Sequence, residues 1–155
     1  MADQNVYSHA GVKFAISTTA QNGDLTLSEF EGLTYTDVSS VGSIGEYGIS
    51  TNMLTYDTMD TLVSKKAKGI TNAGDPALEV ARMDSDAGQL AMRTAGAPDY
   101  FDSHAFKVTK QDGSIDFLRG LVSGPSSPGG RNEDFDLHNF TLALNQAVIH
   151  KNATV

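Results

Sequence analysis

One predicted β-hairpin in the second half of the sequence constrains the fold more than any other feature. Residues His104–Lys110 alternate between apolar and polar side chains, which is the pattern of a half-buried strand. Asp112-Gly113 follows as a tight turn, because glycine readily takes the positive φ angle that such turns require. Ile115–Ser123 then supplies the returning strand, so the sequence predicts an antiparallel pair in a β-rich fold.

The rest of the chain predicts further strands and one helix. Alternating side chains and turn residues predict strands at Gly11–Thr18, Leu25–Asp37, Pro76–Met83 and Phe135–Gln146. Residues 85–96 form the predicted helix, which Asp84 or Ser85 caps and Gly96 ends. We therefore expect a mainly β fold, an antiparallel β-sandwich or partly closed barrel with one packed α-helix and a long β-hairpin arm.

The predicted arm lies between residues 39 and 74, where the pattern changes. This segment contains five glycines, no proline and apolar residues that follow neither a helical nor a two-residue period. A long connection inside a domain is usually functional or disordered, and this one is too apolar for a linker. We expect a β-hairpin without a core of its own, whose apolar side chains contact another subunit. These residues are Val41, Ile44, Tyr47, Ile49, Met53, Leu54, Tyr56, Met59 and Leu62.

Lys65, Lys66 and Lys68 form the only basic cluster in the sequence. A solvated strand face is one interpretation of this cluster. The other is a salt-sensitive contact with an acidic neighbour, and because the chain has a formal charge of −8, a second copy can be that neighbour. On this second interpretation the three lysines belong to the predicted subunit interface.

Length and charge limit the remaining interpretations. The 155 residues fit one domain, with an N-terminal arm at 1–10, a loop at 124–133 and a C-terminal tail at 147–155, in which we expect His150–Val155 to be disordered. The negative net charge disfavours a protein that binds along the DNA backbone. Cysteine is absent, which excludes disulfides and thiolate chemistry. The sequence shows no secretion signal and no apolar run of membrane-spanning length, so we expect a soluble protein made in a cytoplasm.

No sequence pattern indicates an enzyme, a metal site or a cofactor. Residues 18–29 place a glycine and a glutamate as a calcium loop does, but Thr18 and Ala20 stand where carboxylates are needed. The four histidines do not have the spacing of a helical zinc site. Helix capping and turn formation already explain aspartates such as Asp84 and Asp112. We therefore expect a protein without catalytic residues.

From Pro76 onward the order of elements resembles a known family. A strand, a capped helix, a strand that ends near Asp112-Gly113 and the segment Phe117-Leu118-Arg119-Gly120-Leu121-Val122-Ser123 are similar to the tail tube proteins of long-tailed, siphovirus-type bacteriophages. Residues 39–74 resemble the long hairpin arm that such proteins insert before the helix. The resemblance covers most of residues 32–146. This chain lacks the proline common in the turn and the glycine that usually ends the last strand.

The resemblance implies a structural role in a virion tail that is assembled in the host cytoplasm. Six copies would form a ring, and stacked rings would form a hollow tube around a tape-measure protein. A terminator would end the tube, and distal tail or baseplate proteins would join it. DNA would pass through the lumen without specific binding, because inward-facing acids would repel it. The candidate lumen acids are Asp24, Glu29, Glu31, Asp112 and Asp116.

Two other interpretations stay open at this point. One is a β-sandwich module that binds a carbohydrate or a receptor, although the sequence has no tryptophan and no grouped tyrosines for a sugar platform. The other is a related ring-forming tail component, such as a terminator or distal tail protein. In the tube interpretation, we expect the arm to be mobile in the free subunit and ordered between rings, because ordering entropy opposes premature assembly.

Overall fold

The computed structural model describes residues 6–153, so residues 1–5 of the predicted N-terminal arm lie outside the described residues. Within the described range the chain forms ten strands and two helices. The strands are β1 (Lys13–Ala20), β2 (Tyr35–Val38), β3 (Val41–Ile44), β4 (Ser50–Tyr56), β5 (Lys65–Asn72), β6 (Ala77–Ala81), β7 (His104–Thr109), β8 (Ile115–Ser126), β9 (Leu137–Leu144) and β10 (Ile149–Lys151). The helices are α1 (Leu27–Glu31) and α2 (Ala87–Ala95).

Seven strands follow one antiparallel path in the order β2-β1-β7-β8-β9-β6-β3, and β10 pairs with the start of β8. The two ends of this path are consecutive in sequence, since only Ser39 and Ser40 separate β2 from β3. Consecutive Cα atoms are about 3.8 Å apart, so Val38 and Val41 lie within about 11 Å of each other. The sheet must therefore curl until its edges nearly meet, but β2 and β3 do not pair. The predicted mainly β, antiparallel fold with one main helix is confirmed, and the curled sheet is not a closed barrel.

Strands β7 and β8 form the predicted hairpin. His104 lies opposite Gly120, Thr109 lies opposite Ile115, and Gly113 in the turn has a φ angle of +91°. A Cβ atom on Gly120 would lie 2.2 Å from the carbonyl oxygen of Ala143 in β9. Only glycine allows this close approach, so the glycine within the β8 motif is a packing requirement between β8 and β9.

The main core lies inside the curled sheet. It is built from side chains of six strands, among them Phe14, Ile16, Leu78, Val80, Phe106, Leu118, Phe140 and Leu142. Phe14 of β1 and Phe106 of β7 stack with ring centroids 5.6 Å apart. Met92 and Ala95 of α2 belong to the same cluster, so the helix completes the core.

Helix α2 approaches the β2 strand very closely. Asp86 caps the helix by accepting a hydrogen bond from the Gln89 N–H at 2.9 Å, whereas the sequence predicts Asp84 or Ser85 in that role. A Cβ atom on Gly88 would lie 2.0 Å from the carbonyl oxygen of Asp37 in β2. The helix therefore lies directly against β2, the strand at one end of the sheet.

The buried side chain of Gln89 connects α2 to the link between β2 and β3, the two end strands of the sheet, which do not pair with each other. The Gln89 side chain is fully buried and donates hydrogen bonds to the carbonyl oxygens of Ser39 and Ala81 at 2.9 and 2.8 Å. Its carbonyl oxygen accepts the Met83 N–H at 2.9 Å. These bonds satisfy backbone groups of the β2–β3 link and of the segment at the end of β6.

The predicted strand Leu25–Asp37 is wrong over its first half, because Leu27–Glu31 forms helix α1. Thr26 caps this helix, and its hydroxyl lies 3.2 Å from the Glu29 carboxylate. Threonine followed three residues later by glutamate is a capping box, which was the local sequence signal for this helix. The strand begins only at Tyr35.

A second, smaller core lies on the outer face of the curled sheet. Phe30 of α1 stacks on Phe117 of β8 with ring centroids 5.2 Å apart, and Ala105 of β7 lies in the same cluster. Strands β7 and β8 are thus covered on both faces. Strict alternation of apolar and polar residues is not required in strands buried in this way.

The predicted C-terminal tail at 147–155 contains the strand β10, so the prediction of disorder from His150 onward is wrong for His150 and Lys151. β10 pairs antiparallel with residues Ile115 to Phe117 of β8, and Lys151 Nζ lies 2.8 Å from Glu31 Oε1. Residues 154 and 155 lie outside the described residues. The predicted loop 124–133 also begins too early, because β8 continues to Ser126. No helix within residues 6–153 is both long enough and apolar enough to cross a membrane.

Candidate assembly surface

Strands β4 and β5 form a separate two-stranded sheet that pairs with no other strand of the described chain. Ser50 lies opposite Asn72 and Tyr56 lies opposite Lys65. Residues 50–72, including the turn, are called the hairpin arm below. No residue of the hairpin arm is buried, and nearly all are exposed. The hairpin arm therefore has no layer packed against it, and an isolated two-stranded hairpin of this kind is only marginally stable in water.

The hairpin arm exposes many large apolar side chains. Met59 and Leu62 in its turn are fully exposed, and Tyr56 is 73% exposed. The complete exposed set in this region is Ile49, Met53, Leu54, Tyr56, Met59, Leu62, Val63 and Ile70. The sequence prediction omitted Val63 and Ile70, although both are apolar and lie in the same segment. Clustered apolar exposure of this kind marks interaction surfaces.

The two faces of the hairpin arm carry different side chains, because successive residues of a strand point to opposite faces. Leu54 and Tyr56 share one face. Met53 lies on the other face with Lys66 and Lys68, since Met53 is opposite Lys68 and Thr55 is opposite Lys66. Because Lys65 lies opposite Tyr56, the first face carries two large apolar side chains and one ammonium group, and the other carries one large apolar side chain and two ammonium groups.

Charge is distributed unevenly between the hairpin arm and the rest of the chain. The hairpin arm contains Lys65, Lys66 and Lys68 against Asp57 and Asp60, so its formal charge is +1. The remaining residues include eight basic and seventeen acidic side chains, which give −9. The hairpin arm therefore carries a formal charge opposite in sign to that of the rest of the chain.

Three of the predicted arm residues lie in the body rather than in the hairpin arm. Val41 and Ile44 belong to β3, which pairs with β6 in the main sheet. These two residues and Tyr47 are only partly exposed and pack against the main core. The predicted boundaries of 39–74 therefore combine an edge strand of the main sheet with the hairpin arm.

The hairpin arm leaves the body at two neighbouring glycines. Gly48 precedes β4 and Gly74 follows β5, with φ angles of +139° and +106°. Such values favour glycine, because a Cβ atom is strained there. The Gly48 N–H donates to the Ala73 carbonyl at 3.0 Å, and Ala73 is buried. Both connections thus pass through the same point at the base of the hairpin arm.

A cavity of about 620 Å³ opens beside the free edge of β3. Its lining includes Val12, Ile44, Tyr47, Val108, Lys110 and Asp116. The other end strand, β2, is covered by α2 through the contact at Gly88. Of the two strands that end the main sheet, β3 therefore has the more open edge, and such edges offer backbone groups for strand pairing.

Asp116 lines this cavity but is buried, so its prediction as a lumen acid is wrong. Its carboxylate accepts hydrogen bonds from the Tyr47 hydroxyl at 2.5 Å and from His150 Nδ1 at 2.5 Å, and Lys110 Nζ lies 3.2 Å away. Burial raises the pKa of Asp116, but the bonds from these three groups outweigh it, so the pKa lies below the ordinary aspartate value. A solvent-facing wall needs exposed acids, and Asp116 is 4% exposed.

The other candidate lumen acids are exposed, but each also has a structural contact. Asp24 lies 2.8 Å from the buried guanidinium of Arg119, and Glu31 lies 2.8 Å from Lys151. Glu29 takes part in the capping box of α1. Asp112 accepts two hydrogen bonds from Ser114, which lower the pKa of its carboxyl. Their direction relative to a lumen stays a prediction.

Comparison with known proteins finds similarity at the level of fold. No family model matches this chain, and no curated protein matches it. Among solved structures, a chain of an extracellular contractile injection system, described as PVC sheath/tube terminator in the extended state, has a TM-score of 0.67 with 11% identity. The match covers 97% of this chain and 100% of that one.

Two further solved structures give the same result. A chain of the anti-feeding prophage tube terminating cap has a TM-score of 0.67 with 12% identity, over 99% of this chain and 95% of that one. A chain of the PVC sheath-tube complex in the extended state has a TM-score of 0.65 with 11% identity, over 97% and 94%. At such low identity these matches establish a shared fold over almost the whole chain.

Proposed function

We propose that this protein is a structural subunit of a phage-like tail, which forms hexameric rings that stack into a hollow tube. The observation that carries the proposal is the hairpin arm, which has no core contacts and exposes a cluster of large apolar side chains. The similarity in fold to chains from structures described as a sheath/tube terminator, a tube terminating cap and a sheath-tube complex supports the same class of role.

Burial energetics favour contact of the hairpin arm with a second copy. Fully burying one leucine, methionine or valine side chain is worth roughly 1.5–3 kcal/mol. Docking on a neighbouring subunit would remove several such side chains from water and would give β4 and β5 the packing layer that they lack. The charge difference between the hairpin arm and the acidic body favours the same contact.

The acidic body also suits a wall along which DNA moves. Duplex DNA carries about one negative charge per 1.7 Å, so a basic lumen would retain it and an acidic lumen would let it slide. The exposed acids Asp24, Glu29, Glu31 and Asp112 are the proposed lumen residues. In this role the protein needs no cofactor and no catalytic residue.

Other tail proteins are the proposed partners besides the protein itself. A tape-measure protein would lie within the tube, and a terminator and distal tail or baseplate proteins would bind its ends. The sequence resembles siphovirus tube proteins, whereas two of the reported structural matches come from an extracellular contractile injection system. We therefore propose the tube role without assigning the tail to either type, with assembly in the host cytoplasm and a final location in the virion tail.

A terminator ring is the second candidate function. Structures described as a sheath/tube terminator and a tube terminating cap are among the matches, with coverage of both chains above nine-tenths. A terminator would form one closed ring and would bind a tube end rather than stack indefinitely. Its hairpin arm would then contact a neighbour within the ring or the last ring of the tube.

Electron microscopy of the concentrated protein separates these functions. Hollow tubes of increasing length would support the tube role, and single closed rings would support the terminator role. Monomers that persist at all concentrations would contradict both. Hydrogen exchange adds a second test, because we expect residues 50–72 to exchange rapidly in the monomer and slowly in the assembly. Strong, equal protection in both states would refute docking of the hairpin arm.

A further inference from the structure

A single buried carboxylate joins two segments that are more than one hundred residues apart in sequence. Asp116 Oδ2 accepts the hydroxyl of Tyr47, and Asp116 Oδ1 accepts Nδ1 of His150, both at 2.5 Å. Tyr47 lies immediately before Gly48, where the hairpin arm leaves the body. His150 is the middle residue of the C-terminal strand β10.

The hairpin arm joins the body just beyond Tyr47. Gly48 and Gly74 are the two connections, both have positive φ, and the Gly48 N–H bonds to Ala73. On the body side, Gly45 N–H donates to Ala77 at 2.6 Å. Tyr47 therefore provides the last side-chain hydrogen bond to the body before Gly48 on this connection.

The strand β10 protects the bond between Tyr47 and Asp116. His150 lies directly opposite Asp116 in the pairing of β10 with β8, and Asp116 is almost fully buried. A hydrogen bond to a charged acceptor is strong when water is excluded and weak when water competes for the acceptor. Removal of β10 would let water reach the carboxylate and would weaken its bond to Tyr47.

We propose that Asp116 couples the C-terminal strand β10 to the base of the hairpin arm, so that release of β10 loosens the anchor at Tyr47 on the first connection to the hairpin arm. Because such coupling is reciprocal, loosening Tyr47 also loosens β10. The coupling is a property of the single folded chain and does not depend on the proposed assembly.

Hydrogen exchange on the full-length monomer tests this coupling. In His150→Ala, we expect amide exchange in residues 44–49 to rise about fivefold or more. Lys151→Ala is the matched control, because it removes an exposed ion pair with Glu31 from the same strand and leaves Asp116 untouched. Exposed ion pairs contribute little to stability, so exchange in 44–49 should stay within about twofold of the unmodified protein.

Tyr47→Phe provides the reciprocal measurement and does not depend on His150→Ala being well folded. We expect Tyr47→Phe to raise the amide exchange rate of residues 149–151. In the double variant with His150→Ala, the fold-increase in exchange rate should be smaller than the product of the fold-increases in the two single variants. Two outcomes would overturn the proposal. One is faster exchange confined to the mutated segment in both variants, and the other is an equal response of 44–49 to His150→Ala and Lys151→Ala.

Discussion

Simultaneous change of Met53, Leu54 and Tyr56 to serine should separate folding from assembly. In the monomer these side chains are already 57%, 58% and 73% exposed. Substitutions at exposed sites without special contacts usually change stability by no more than about 0.5 kcal/mol each. We therefore expect the urea midpoint and the far-ultraviolet circular dichroism of the monomer to change little.

The effect on assembly should be much larger. Full burial of such a side chain is worth roughly 1.5–3 kcal/mol, and between half and three-quarters of each is available for burial on docking. Each residue then contributes about 1–2 kcal/mol, and the three together contribute about 4 kcal/mol per hairpin arm. A loss of this size weakens one contact about a thousandfold, since every 1.4 kcal/mol is a factor of ten.

Sedimentation and negative-stain microscopy over a range of protein concentrations measure this effect. The critical concentration for tubes or rings should rise beyond the accessible range in the serine variant. A matched control exchanges the same positions for Leu, Met and Phe respectively, which keeps the apolar area, and it should assemble like the unmodified protein. A monomer that unfolds in the serine variant would place these residues in a core, and undiminished assembly would remove the hairpin arm from the interface.

Three further predictions concern the body and the charge of the hairpin arm. Gln89→Leu leaves buried backbone groups without hydrogen-bond partners and should lower the free energy of unfolding, measured with urea, by about 2–4 kcal/mol. An unchanged free energy of unfolding would show that the Gln89 side chain only fills space. The pKa of Asp116 is lowered in the folded state, so its stabilisation is present above the unfolded pKa and is lost as pH falls through the folded pKa. Unfolding free energy should therefore drop below about pH 4, less steeply in Asp116→Asn, and identical slopes would refute this role. The double change of Lys66 and Lys68 to glutamate should weaken assembly at low salt but leave the monomer fold intact, and a defect that high salt does not reduce would contradict an electrostatic role.

Both the family resemblance and the proposed function assign the role of this protein to a contact surface rather than to an active site. In the proposed function, the apolar hairpin arm, the open β3 edge and the acidic body would be the features through which the protein binds copies of itself. The proposed role of the hairpin arm thus rests on the apolar side chains that the single chain leaves exposed. Because such a surface is made of many exposed side chains, no single residue motif in the sequence indicates the role.

Local patterns in the sequence determined the elements whose structure depends on near neighbours. Alternation and the Asp112-Gly113 turn predicted β7 and β8, and the helix signals predicted α2 within a residue or two at each end. Even α1 had a local signal, the Thr26 capping box, which the prediction overlooked. In each of these cases, the energy terms act over a few residues and can be evaluated from the sequence.

The remaining features of the structure depend on pairing between segments that are far apart in the sequence. The segment 39–74 divides between the main sheet and the hairpin arm because β3 pairs with β6. Similarly, β10 forms because it pairs with β8. Asp116 resembles any exposed strand acid in sequence, yet it becomes a buried acceptor because Tyr47 and His150 converge on it in space. Such contacts join residues tens of positions apart, and no local period or turn residue encodes which distant partner will be there.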